Sequence, residues 1–370
     1  MTYQRFVLMN PGPVLVDQRV RDALTGPDLC HREPEFAELM TTVRDKLRIA
    51  CLGDSQYSSV VFAGSGTAAL EAVVSSVVPP AGRLLVLDNG HYGDRIAKIA
   101  QVHHIPHVTL EFGWAVPYRL DRLETALAKD PSITHVAMVH HETSTGMLNP
   151  LKEVGRLVSR HGRSLIVDAI SSLGGEILDV RGDCIDWCIS TANKCIESIP
   201  GVSFVCAPRA ALEALAEVPS RTFYLDLHAH YVAQEVRREP VFTPAVQAMC
   251  ALDAALDLLL KESVAARNAR YRALAQQLRE GLEARGFRLM LPAQDRSCLL
   301  TVVHLPESLT YAYLHDRLKQ CGFVIYAGQG TLSRGFFRLS TMGQITHDDI
   351  HAFLQGVDQV QGEMQAKVAQ

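Results

Sequence analysis

Short, unbroken apolar runs recur through the first 250 residues: Tyr57–Phe62, Leu84–Leu87, Val136–Val139, Leu165–Val167, Cys188–Ile189 and Val202–Cys206. Their apolar positions are continuous rather than alternating, the pattern of strands covered on both faces. Helical patterns lie between several of them. Thr67–Val78 follows the glycine-rich turn 64–66, and Leu151–His161 follows Asn149-Pro150, with Pro150 near a helix start. Strand and helix in alternation predict an α/β fold with a mostly parallel, wound sheet.

The texture changes near residue 250. Leu252–Leu260 and Ala265–Arg285 read as long amphipathic helices. Three strand candidates follow, Cys298–His304, Phe323–Tyr326 and Phe336–Leu339. A last helix is expected near Thr346, where Thr346 and Asp349 have capping-box spacing. The division expected is a large domain over 14–250 and a small C-terminal α+β domain over 251–370, joined by the N-terminal segment 1–13.

Composition narrows the class without naming a chemistry. Of 370 residues, 48% are apolar and 21% charged, which excludes a disordered chain. The net charge of −4 gives no basic field for nucleic acid. No uncharged apolar run has the length of a membrane span, and the start of the chain lacks signal-peptide order. Nine cysteines without framework spacing are expected to be reduced thiols in a cytoplasmic protein. Cys184 and Cys188 are four apart, but no second pair completes a zinc set, so no metal is expected.

Three segments carry candidate chemistry. Gly64-Ser65-Gly66-Thr67 lies between a strand and a helix, where free amides attract phosphate. A plain tight turn has the same composition. Neither a Walker loop nor a GxGxxG is present. Asp168 closes a buried strand, at the end where wound sheets place their ligand crevice; a turn-capping Asp reads identically. Lys194 sits among small uncharged residues and is the only lysine between Lys152 and Lys261. Such a lysine loses its proton readily, although an ordinary surface lysine is the simpler reading of that segment alone. Together, a phosphate cradle, a strand-end carboxylate and a lysine 26 residues later are what pyridoxal 5'-phosphate requires.

With these motifs the chain resembles the class V pyridoxal-phosphate-dependent aminotransferases of fold type I. The resemblance runs nearly end to end: Asn10–Pro13, Gly64–Thr67, Asn89–Gly93, His135–Val139 into His141–Gly146, Val167–Ser172, Ala192–Ile196, Ile199–Gly201, Phe242–Pro244, Gly322–Tyr326 and Phe337-Arg338. Asn193-Lys194-Cys195 and Gly322–Tyr326 are similar to the branch that moves the amino group of 2-aminoethylphosphonate to pyruvate. The resemblance implies that Lys194 bonds the cofactor aldehyde and then shuttles a proton. It implies that Asp168 pairs with the pyridine nitrogen, that Tyr92 stacks on the ring, and that Ser65, Gly66 and Thr67 hold the phosphate. Thr143, or Ser144 in its place, would lie near the ring oxygen. Thr243 would reach the phosphate of a neighbouring subunit, implying a homodimer with shared sites. Arg338 would grip the substrate anion, with Gly12 beside it.

The chain also departs from that branch. His31-Arg32 is similar to the alanine–glyoxylate branch, and Ala327 and Gln329 replace a proline and a lysine. If that lysine serves the phosphonate, Arg32, Arg334 or His31 would supply the missing charge. Alanine– or serine–glyoxylate transamination is therefore the alternative. Cysteine desulfuration is disfavoured because Asn193 rather than a histidine precedes Lys194, and a binding protein without turnover is disfavoured because every cofactor position is filled.

Overall fold

The computed structural model describes residues 6–368. Seven strands form the main sheet: β1 Tyr57–Ala63, β2 Arg83–Asp88, β3 His107–Glu111, β4 Ile133–Val139, β5 Ser164–Asp168, β6 Trp187–Thr191 and β7 Val202–Pro208. Their order is β1-β7-β6-β5-β4-β2-β3. β7 runs antiparallel to both neighbours and every other pairing is parallel. All six expected strands are present. β3 went unread because it is an edge strand, where Val108 and Glu111 face solvent and leave no apolar run.

Parallel neighbours need crossovers, and the crossover helices cover both faces of the sheet. On one face pack helices α1 Pro34–Ala50 and, later in the chain, Leu151–Arg160. On the other pack α2 Gly66–Val77 and α3 His91–Val102. α1 buries Phe36, Met40, Val43 and Leu47, one stripe at helical spacing behind Pro34 at its start.

The helix that follows Pro150 is α4, Leu151–Arg160; after it come α5 Val246–Glu262 and α6 Val264–Glu283. Leu252, Leu256 and Leu259 of α5 join the apolar cluster of the main sheet, so α5 serves that sheet across position 250. A second sheet comprises β8 Leu300–His304, β9 Tyr326–Ala327 and β10 Phe336–Ser340, antiparallel in the order β8-β10-β9. The single strand expected over Phe323–Tyr326 splits at the buried Ile325. Phe323–Val324 pairs in parallel with Val7–Leu8, while Tyr326–Ala327 pairs with β10. Residues 1–5 of the N-terminal segment lie outside the described residues, but Met9 and Leu15 pack with Leu278, Phe337 and Phe353 in the C-terminal apolar cluster. α7 Tyr311–Gln320 and α8 His347–Val368 complete it. The capping box forms as expected: the Thr346 amide donates to Asp349 Oδ2 at 2.9 Å and the Asp349 amide to Thr346 Oγ1 at 3.1 Å.

Candidate active site

The carboxyl ends of β2, β4, β5 and β6, with the end of the edge strand β1, open onto one crevice, as wound sheets do. β1 runs into Gly64–Thr67. Ser65 precedes α2 in an extended conformation and makes no capping hydrogen bond, and the first turn of α2 holds no acid. Its free amides therefore keep their positive partial charge for an anion. Gly66 packs against Ile170, two residues beyond Asp168, so closely that a Cβ would lie 2.9 Å from Ile170 Cδ1.

β2 leads into α3, whose first turn carries Tyr92. The buried Glu142 fixes that turn, accepting from the amides of Tyr92 at 3.0 Å and Gly93 at 3.3 Å. Burial pushes the Glu142 carboxyl up to about 7, and hydrogen bonds from Ser144 and these amides oppose the shift. The Ser144 hydroxyl donates to Glu142 and accepts from the His91 amide. Arg95 lies over the Tyr92 ring, 4.6 Å from its centroid, and donates to Thr67 Oγ1 at 3.2 Å. It thereby links Tyr92 to the Gly64–Thr67 turn.

Lys194 follows β6. Its Nζ donates to Ser171 Oγ at 2.6 Å, and that hydroxyl lies 2.6 Å from Thr143 Oγ1. Nζ is also 5.7 Å from the centre of the Tyr92 ring. Burial lowers the Lys194 pKa from 10.5 to about 8, while the charge of Asp168 works the other way. Asp168, 3% exposed, accepts from the Ile170 amide at 2.9 Å. Burial raises its pKa; the Ile170 amide and the charges of Lys194 and Arg95 pull it down.

The turn bearing Lys194 is fastened from below. The Glu197 amide donates to the Lys194 carbonyl at 2.8 Å, and the buried Glu197 carboxylate accepts from Tyr271 Oη and from Arg270 Nη2 at 2.9 Å. Gly12 closes the site from the N-terminal segment. A Cβ there would lie 3.2 Å from Lys194 Cγ and 3.4 Å from Cε, and its φ of +121° disfavours any side chain. Gly12→Ala is expected to strain the backbone by about 1–2 kcal/mol and to displace the lysine. Steady-state kinetics should show kcat/KM reduced on the order of tenfold, the change one misplaced reacting group produces.

Arg338 on β10 completes the cluster. It is 7% exposed and donates from Nε to the Ala327 carbonyl at 2.8 Å, and from Nη1 to Gln329 Oε1 at 2.8 Å and the Thr143 carbonyl at 3.4 Å. It has no salt-bridge partner among the described residues; burial lowers its pKa, and the charges that offset this are tyrosines and Glu142. A buried guanidinium held only by neutral oxygens is prepared for an anion.

The structure thus brings together Gly12, Ser65, Gly66, Thr67, Tyr92, Thr143, Asp168, Lys194 and Arg338. It leaves the other candidates apart from this cluster within one chain. Arg32 pairs with Glu239 at 3.4 Å on the surface, and His31 is half-buried beside it in sequence. Thr243 is exposed, next to Phe242, which stacks on Tyr224 and contacts Phe223, itself 87% exposed. Arg334 is exposed. Glu142, Ser171 and Arg95 were not read as contacts of the site, and Gln329 was read only as the replacement of a lysine; Glu142 and Tyr92 stand 50 residues apart, and only the tertiary fold joins them.

Comparison with known proteins identifies the family. The family model for aminotransferase class-V matches residues 22–353. A 2-aminoethylphosphonate–pyruvate transaminase of Vibrio cholerae is 38% identical over 357 residues, covering 95% of this chain and 96% of that one. One from Salmonella typhimurium is 36% identical over 362 residues, covering 96% and 98%. Among solved structures, a ureidoglycine–glyoxylate aminotransferase from Bacillus subtilis superposes with a TM-score of 0.93 at 27% identity over 99% of this chain and 95% of that one. An alanine–glyoxylate aminotransferase from Nostoc sp. does so with 0.91 at 27% over 97% and 96%. The chain therefore belongs to the class V aminotransferase family and is a pyridoxal-phosphate-dependent aminotransferase of fold type I.

Proposed function

We propose that the chain moves the amino group of 2-aminoethylphosphonate to pyruvate, leaving phosphonoacetaldehyde and alanine. The observation that carries the donor is identity of 35–38% over nearly the whole chain with proteins of that name. The buried Arg338, which has no ion-pair partner among the described residues, supports an anionic head on the substrate.

The residues present fit pyridoxal phosphate. An uncapped helix start offers amides to its phosphate, the half-buried Lys194 has a lowered pKa, and the strand-end Asp168 a raised one. When bound, the cofactor supplies an aldehyde for amine exchange and a pyridinium ring that accepts the electrons of a broken C–H bond. Ser65, Gly66 and Thr67 hold the phosphate, and Tyr92 stacks on the ring. Asp168 keeps the ring nitrogen protonated by placing a buried negative charge beside it. Thr143 reaches the ring oxygen. Lys194 Nζ takes the proton from the substrate carbon and returns it on the cofactor side, and Ser171 holds that nitrogen until it is needed. Arg338 orients the anionic head, with Gly12 alongside, and His31 and Arg32 are further cations for it.

The same reading has two lobes. The large one spans 14–250, with α5 continuing on its sheet, and the small one 251–370, with the segment 1–13 packed on it. The chain works as a homodimer, in which Thr243 and the aromatic group of the exposed Phe223 and Tyr224 and the half-buried Phe242 meet a second copy. All nine cysteines are free, which supports a cytoplasmic location, and no described helix is long and apolar enough to cross a membrane.

Glyoxylate transamination is the second reading, favoured by the names of the solved neighbours. A donor screen separates the two. With pyruvate as acceptor, 2-aminoethylphosphonate should yield alanine on the order of a hundredfold faster than serine does, the discrimination expected of a site built for one polar head. Faster transfer from alanine or serine to glyoxylate would replace the first reading with the second.

A further inference from the structure

The guanidinium of Arg338 can grip an anion along one of two edges, Nε with Nη2 or Nη1 with Nη2. The first edge is half occupied by the Ala327 carbonyl at 2.8 Å. That bond is built into the small sheet, because Ala327 pairs in register with Phe337 next to Arg338. The second edge is half occupied by Gln329 Oε1, also at 2.8 Å. Nη2 has no hydrogen bond to a described residue. Bidentate binding of an anion therefore runs through Nη1 and Nη2, and of their neighbours only the Gln329 side chain is free to rotate away. The Gln329 side chain also faces the Tyr92 hydroxyl, whose pKa it pulls down against the upward effect of burial, so it lies between the anion site and Tyr92. Its position is set by the β9–β10 connection, where Gly330 packs on Trp114 so closely that a Cβ would lie 2.9 Å from the indole Cη2.

We propose that Gln329 is a specificity-determining residue whose side-chain carbonyl stands in for one oxygen of the substrate's anionic head. A ligand gains the second bond to Arg338 only by displacing it. The displaced amide then offers its N–H donors to the incoming head. A phosphonate, with three oxygens and up to two charges, can use both the guanidinium edge and that amide; a carboxylate has one oxygen fewer and a single charge. Gln329 thus lowers affinity for every anion and lowers it least for phosphonates. The proposal rests on Arg338 as the anion site of the proposed reaction.

Calorimetric titration of the holoenzyme with methylphosphonate, which has no amine and cannot react, tests this apart from turnover. Gln329→Ala is expected to bind methylphosphonate about 3- to 10-fold more tightly than the parent, since one hydrogen bond to a charged group no longer competes. Gln329→Glu, which places a carboxylate on Arg338, is expected to bind it at least about 30-fold more weakly. Arg338→Ala separates the two levels of the argument. If Arg338→Ala weakens binding while Gln329→Ala binds no more tightly and Gln329→Glu no more weakly than the parent, the role of Gln329 is overturned and the anion site stands. If Arg338→Ala binds methylphosphonate as the parent does, both fall.

Discussion

Lys194→Ala is expected to lower turnover by at least about 10⁵-fold while leaving the fold intact. The size follows from the two roles proposed for one nitrogen: covalent attachment of the cofactor, and a proton transfer that alone is worth about 10²–10⁴-fold. No other lysine lies between residues 152 and 261 to replace it. Borohydride should fix pyridoxal phosphate to the parent chain and fail to fix it to the variant; equal fixation, or turnover near that of the parent, would overturn the assignment. The pKa supplies a second test. Burial holds the Lys194 amine at about 8 rather than 10.5, and only the neutral amine attacks an aldehyde. The rate at which the apoprotein captures pyridoxal phosphate should therefore rise about tenfold per pH unit below pH 8 and level off above it. The stability sign is fixed as well. Between the folded pKa of about 8 and the unfolded value of 10.5 the unfolded chain binds more protons, so the apoprotein should gain stability as pH rises through that window. Lys194→Ala should lose that slope, which thermal unfolding across the window would register.

What was legible in the sequence depended on where each structural cause resides. The five inner strands are covered on both faces, and the edge strand β1 is buried over Ser58–Phe62, so their runs stand out from any neighbour. β3 borders solvent, and its pattern dissolved into polar positions. α1 was readable in principle, from Pro34 and the stripe Phe36, Met40, Val43, Leu47, since its signal is local. The candidate residues Asp168 and Lys194 were legible because each lies at or just past a strand end and carries chemistry that its neighbours lack. The residues that hold them in place were not. Glu142 fixes the Tyr92 turn across 50 positions, and Gln329 occupies Arg338 from a loop nine residues earlier. Glu197 braces the Lys194 turn through Arg270 and Tyr271, more than 70 positions away. Each is an ordinary polar residue until the fold brings its partner near. Thr243, His31 and Arg32 differ again, since one chain leaves them apart from the cluster.

Asp168→Asn is expected to reduce turnover on the order of 10³-fold, about 4 kcal/mol of transition-state stabilisation. The substitution keeps nearly the same shape. The Oδ1 position remains available to accept from the Ile170 amide, the bond it makes now at 2.9 Å, so the loop after β5 should hold its course. What is lost is the negative charge. At a site 3% exposed, that charge would have little water to screen it from the ring nitrogen of bound pyridoxal phosphate, which Asp168 is proposed to keep protonated. Without it the ring would be a poorer acceptor for the electrons of the broken C–H bond. A purely structural role for Asp168 predicts the opposite balance, with little change in rate and a loss of stability. Burial raises the Asp168 pKa above its unfolded value, so the ionised carboxylate costs stability at neutral pH, and that cost disappears as pH falls through the folded pKa. The cofactor-free variant should accordingly unfold at pH 7 at a Tm no lower than that of the parent. Its Lys194 should also titrate below about 8, because the charge of Asp168 is what chiefly opposes the effect of burial there. Turnover of the cofactor-saturated variant within tenfold of the parent, with an unchanged lysine titration, would remove Asp168 from the mechanism.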